Sequence, residues 1–181
     1  SLHLPVVAAT IRNDVIAYIL SNNAFGIYQM ADNRKLVESR SETTFAIDTR
    51  AASPIFIDNL VVMPMLDGKL IIVNVTDAES AKVVYISSEK VFNNVIYLSR
   101  EGNTMIAATP KKLLTLGSEG QREYNANISE VAYDNGKIYL FTKEGQVLAL
   151  NSALEVVGES KYKFAHYAVG TALSGRVYAL D

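Results

Sequence analysis

Two histidines, His3 and His166, are the side chains of this chain whose ordinary pKa lies close to neutrality. Neither belongs to a His-Glu-x-x-His spacing, which would set two imidazoles on one face to hold zinc. His166 stands between Ala165 and Tyr167 in a segment that reads as an inner strand. There it would either face a central channel or be satisfied by hydrogen bonds within the sheet. The chain has no cysteine, which excludes disulfides, thiolate metal sites and thiol nucleophiles within its 181 residues. Asp67, Glu101 and Glu144 each precede a glycine, a pairing that favours chain reversal and leaves the carboxylate in water. Asp77 and Glu79 are too sparse for a calcium loop, which needs closely alternating oxygen ligands and a bidentate glutamate. No Gly-x-Ser-x-Gly elbow and no phosphate-cradling glycine loop occurs. No catalytic, cofactor-binding or metal-binding residue is therefore assigned.

The ten tyrosines are the more telling population. Most fall within candidate strands, where the ring packs and the hydroxyl reaches an edge or water. Tyr124 and Tyr162 lie near candidate loops and are the ones placed to anchor a protein contact.

The segments that carry these residues repeat. Residues 15–21 run into 24–31, 60–66 into 69–76, 95–100 into 103–109, and 137–143 into 146–152, each pair joined by a short turn. A fifth copy begins at 176–181. The spacing of about 40 residues is that of a four-stranded propeller blade. Tight hairpins need positive φ at central residues, and Gly and Asn supply it at lowest steric cost. Asp67–Gly68, Glu101–Gly102, Asn135–Gly136, Glu144–Gly145 and Ser174–Gly175 provide it where the repeat reverses. Segments 138–141 and 147–150 are apolar at successive positions, as in strands covered on both faces.

The expected architecture is all-β: about four propeller blades of four antiparallel strands and the start of a fifth. The repeats span approximately 5–40, 53–87, 90–117, 128–160 and 164–181. In the third, 90–93 is a poor inner strand and 112–117 the outermost one. In the fifth, 164–172 precedes the last strand. A β-sandwich with recurring hairpins is the competing architecture.

Composition narrows the function classes. With 49% apolar and 20% charged residues the chain is globular rather than disordered. A net charge of −2 with scattered lysines and arginines gives no footprint for nucleic acid. No apolar run reaches the roughly 18 residues of a spanning helix.

Gly175, Arg176, Val177, Tyr178, Ala179, Leu180 and Asp181 resemble the core of the PQQ-like repeat: a glycine, a strand hydrophobe, then Tyr-Ala-Leu-Asp. Gly145 to Asn151 echoes it, Gly68 to Asn74 does so more loosely, and residues 53–58 and 132–139 resemble its opening strands. The repeat usually continues into a Thr-Gly segment and a docking tryptophan, whereas this chain has no tryptophan and 151–157 has neither feature. The resemblance therefore points to the non-enzymatic branch, the BamB-like outer-membrane assembly lipoproteins, and implies no quinone cofactor.

On that resemblance the expected function is a non-enzymatic protein-binding scaffold of the bacterial cell envelope, in the periplasm or on the periplasmic face of the outer membrane. Partners would be proteins held by the loops, with 31–34, 99–103 and 118–125 as candidate contacts. The alternatives are a PQQ-dependent dehydrogenase-like enzyme and a propeller that binds glycans or other ligands. Two strands are too few for a fifth blade. The further expectations are a longer propeller, of which this chain is a fragment, or self-association through open sheet edges.

Overall fold

The computed structural model describes residues 4–39, 50–77, 81–89, 91, 93–163 and 165–180. Its regular structure is β-strand, with no helix among the described residues. His3, Glu79 and Asp181, named above, lie outside the described residues, as do positions 40, 90, 92 and 164 of the expected repeats.

The strands form four antiparallel meanders and a final hairpin. Blade one is β1 (Val6–Arg12), β2 (Val15–Leu20), β3 (Phe25–Gln29) and β4 (Arg34–Glu38). Blade two is β5 (Ile55–Ile57), β6 (Leu60–Pro64), β7 (Lys69–Asn74) and β8 (Ala81–Tyr85). Blade three is β9 (Tyr97–Glu101), β10 (Thr104–Ala108), β11 (Lys112–Gly117) and β12 (Gly120–Asn125). Blade four is β13 (Ile128–Asp134), β14 (Lys137–Thr142), β15 (Gln146–Leu150) and β16 (Val156–Lys161). Blade five is β17 (Val169–Leu173) paired with β18 (Arg176–Leu180). The expected all-β propeller is what is observed.

Blade three departs from the expected division by one strand. Its inner strand is β9, so the turn at Glu101–Gly102 joins its first and second strands rather than its second and third. The strand at 112–117 is third, not outermost; β12 pairs outside it. The polar sequence of β12 masked a strand whose residues alternate between exposed and half-buried.

Packing follows from alternation on both faces of each sheet. Val61 and Met63 of β6 pack toward blade one, in a cluster with Ala17, Ile19 and Ile27. Val62, between them, packs toward blade three with Met105, Ala107 and Leu114. Ile106, Ala108 and Leu113 face blade four with Ile138, Leu140, Leu148 and Leu150. Tyr139 and Phe141, offset by one residue, face blade five with Ala165, Tyr167 and Ala172. Successive residues thus enter different interfaces, which is why these strands read as unbroken apolar runs. Each fully buried Leu, Ile or Phe contributes about 1.5–3 kcal/mol.

Candidate functional site

Meander connectivity sorts the loops onto two ends of the blades. Turns between first and second and between third and fourth strands lie at one end; second-to-third turns and the blade-to-blade connections lie at the other. The first end is built mostly of tight reversals, with positive φ at Asn13, Asn33, Asp58, Gly102, Asn135, Gly136 and Gly175. Arg12 lies 4.7 Å from the centre of the Phe56 ring and donates to the Asp58 carbonyl, tying the turns of blades one and two. The Gly175 amide donates to Asp134 Oδ2 at 2.7 Å, tying those of blades four and five.

All three polar stretches expected to make contacts have their turns here, and the third runs on along β12 to the other end. Residues 31–33 are a tight turn, Ser99 to Glu101 belongs to β9, and Gly120–Asn125 is β12. Tyr124 is half-buried against the cluster around Ile106 and Leu113, so it is a packing residue rather than a loop anchor.

The opposite end carries the longer connections between blades, to which the described residues 50–54, 86–89, 93–96, 162–163 and 165–168 belong. Its turns are fastened to neighbouring backbone. Asn23, buried and at φ 67°, accepts a bond from the Leu66 amide at 2.7 Å, joining blade one to blade two. Lys111 Nζ donates to Asn127 Oδ1 at 2.5 Å, and Asn127 Nδ2 donates to Glu144, joining the turns of blades three and four. That amide bond is the main reason the Glu144 carboxyl titrates below the usual carboxylate range. Lys69 pairs with Asp67 at 2.7 Å, so Asp67 is half-buried and bonded rather than freely solvated.

Two glycines of these turns answer to one constraint. Gly68 and Gly145 both have positive φ, and the chain leaving the fourth strand crosses directly over them. A Cβ on Gly68 would stand 2.8 Å from the Ser87 carbonyl oxygen, and one on Gly145 would stand 2.5 Å from that of Tyr162. The Gly145 carbonyl accepts from the Tyr162 amide at 2.9 Å and from the Tyr167 hydroxyl at 3.1 Å.

His166 lies in the 162–168 connection, exposed between buried Ala165 and Tyr167, and not on an inner strand. Tyr162 is 58% exposed and borders a cleft of about 610 Å³ between blades four and five. The cleft was not foreseen, since it is made by strands distant in sequence. On the inner strands, burial raises the Tyr97 hydroxyl pKa, aided by Glu101 and Glu130 and opposed by Ser99. Tyr97 is thus held as a neutral phenol and not as a base. Among the described residues, no three His, Cys, Asp or Glu side chains are grouped so as to hold a metal ion. Nor is any helix there long and apolar enough to cross a membrane.

No known family pattern matches the chain. It is 31% identical over 176 residues to the plasminogen-binding protein PgbB of Helicobacter pylori strain J99, covering 96% of this chain and 32% of that protein. It is 32% identical over 156 residues to PgbB of strain 26695, covering 85% of this chain and 29% of that protein. The chain therefore spans about a third of the length of these curated relatives. Among solved structures it resembles BamB of Moraxella catarrhalis, with TM-score 0.61 and 13% identity over 99% of this chain and 70% of BamB. It also resembles the Cps50 (Swd1) β-propeller domain of Myceliophteria thermophila, with TM-score 0.69 and 11% identity over 99% of this chain and 63% of that domain. At such identities the likeness concerns the fold. The chain has a partial β-propeller fold that resembles that of BamB.

Proposed function

We infer that this chain is part of a protein-binding propeller of the bacterial cell envelope and performs no chemistry itself. The carrying observation is the fastened loop end. Asn23 on Leu66, Asn127 between Lys111 and Glu144, and Tyr167 on Gly145 hold the turns in fixed relation. A surface ordered before binding loses less entropy on association than one that must fold around its partner. The binding name of relatives alike over nearly the whole chain supports the same reading. Resemblance to the BamB-like assembly lipoproteins supports outer-membrane protein assembly as the setting, on the periplasmic side.

The contacts belong to the end bearing the blade-to-blade connections, because recognition concentrates on longer loops held by a rigid scaffold. Plasminogen, taken from the relatives' name, is the first probe. Biosensor titration of the purified protein with plasminogen should give a saturable isotherm. Purified outer-membrane assembly proteins form the second set of probes. Failure of both sets to bind would remove the reading.

A further inference from the structure

We propose that a groove between blades two and three, at the end opposite the long connections, takes the C-terminal residue of a partner polypeptide. An aliphatic side chain enters the apolar walls and the terminal carboxylate meets Arg100. The groove opens at the other end from the contacts assigned above, so the inference stands whether or not that binding role holds.

The groove has a volume of about 440 Å³, the size of a small-ligand site, and both of its walls come from complete four-stranded sheets. Direct cross-strand partners share a face. Arg100, Met105 and Leu116 form such a row across β9, β10 and β11. Facing them are two rows of blade two, Val62 with Ile72 and Ile57 with Leu60. Val62 and Met105 are 1% and 7% exposed and make the deep end, whereas Leu60 is 37% exposed and stands at the mouth.

The junction of blades one and two shows why this one stays open. Arg12 and Ile57 each precede the turn between the first two strands of their blades, and Phe56 and Arg100 each stand one residue farther from theirs. Between blades one and two, Arg12 lies over Phe56 and donates to the Asp58 carbonyl, bridging the turns. Between blades two and three the same two positions hold Ile57 and Arg100. Ile57 has no cation to extend, and Arg100 Nε donates to the Gly102 carbonyl of its own turn at 2.9 Å. Among the described residues no hydrogen bond joins the turns at Asp58 and Gly102.

Arg100 therefore keeps its two terminal nitrogens without a partner among the described residues. The Asn103 amide and the Ser118 hydroxyl, exposed on the same rim, have none there either. A guanidinium fork matches a carboxylate and gives up water more readily than an ammonium does. An anion with an aliphatic body is the complementary ligand.

Two arguments make that ligand a chain terminus. Met105 stands directly across from Arg100, so the apolar floor and the guanidinium lie within one residue of each other. In an extended peptide neighbouring side chains point to opposite faces, so an Asp or Glu beside an aliphatic residue would turn away from Arg100. A terminal residue carries side chain and carboxylate on one carbon. A fatty acid has no peptide groups to engage Asn103 and Ser118, whereas a backbone N–H and C=O suit both.

The probe is a peptide of three glycines followed by two leucines, carrying fluorescein on its amino end. It is titrated with purified protein to about 1 mM by fluorescence anisotropy. The free acid should bind saturably, and its C-terminal amide at least about tenfold more weakly. Arg100→Gln, at an exposed position, should melt as the parent does and bind acid and amide alike. In the parent, amide signals of Leu60 and Met105 should shift on titration, a measurement that does not depend on any variant folding. No binding of the acid, equal binding of acid and amide, a preference retained by Arg100→Gln, or shifts confined to other blades would overturn the proposal. Octanoate displacing the peptide at equal concentration would assign the groove to a fatty acid and overturn it too.

Discussion

The ring of Phe141 lies against the backbone of Gly170, so close that a methyl group there would stand 2.5 Å from a ring carbon. Tyr167 meets the same ring edge-on, at 5.5 Å between centres. Blade five is seated on blade four through this contact. Gly170→Ala should cost about 1–3 kcal/mol by overpacking, and Phe141→Ala about 3–5 kcal/mol by leaving a cavity. Urea denaturation measures both. An unchanged midpoint for Gly170→Ala would show that the two blades are not in this register.

Gly145 predicts a separable effect. Gly145→Ala places a side chain in a left-handed conformation and against the Tyr162 carbonyl oxygen. The backbone strain alone costs about 1–2 kcal/mol. The 162–168 connection must shift, so amide signals of Tyr162 and Tyr167 should move while those of blade one stay put. Gly102 has positive φ with nothing within 4 Å of its would-be Cβ, and Gly102→Ala should show only the strain.

Asn23 joins blade one to blade two by a single buried bond to the Leu66 amide. Asn23→Ala should cost about 1–3 kcal/mol for the orphaned amide, with left-handed strain added. Exchange at Leu66 should accelerate in the variant. Exchange as slow as in the parent protein would remove the bond from the account.

The Asn127 amide stabilises the ionised form of Glu144, whose folded pKa lies below its ordinary value of 4.5. The sign follows from linkage. The contribution is fully present above the unfolded pKa and is lost as pH falls through the folded one. Asn127→Ala should therefore raise the Glu144 pKa toward 4.5, readable by carboxyl NMR titration, and its stability deficit should be larger at neutral pH than in acid. Because Glu144 is near the surface, screening keeps the effect small, and added salt should shrink it further.

The hairpins were legible because their turns demand particular residues. Positive φ falls at Gly68, Gly102, Asn135, Gly136, Gly145 and Gly175, where the sequence places residues that tolerate it. Leu154 and Ser174 adopt positive φ too, and Leu154 carries no such signal. The division of blade three failed for a different reason. The run from Val95 to Leu98 is apolar because Val95 and Ile96 enter the packing before β9 begins, while β12 is polar because an outer strand meets mostly water. Hydrophobic pattern reports burial, and burial is not the same as strand position. The cleft had no local signature at all. Val147, Gly158, Tyr162 and Val177 meet only because blade five seats on blade four.

The central claim is protein binding through the end of the blades that carries the long connections. Its most direct test is the affinity of purified protein for plasminogen in three forms: the parent, Lys111→Glu at that end, and Arg122→Glu on β12 away from it. All three should melt cooperatively, which removes misfolding as an explanation. The account predicts a saturable isotherm for the parent, at least about tenfold weaker binding for Lys111→Glu, and parental affinity for Arg122→Glu. Equal weakening by both substitutions, or weakening by Arg122→Glu alone, would contradict it.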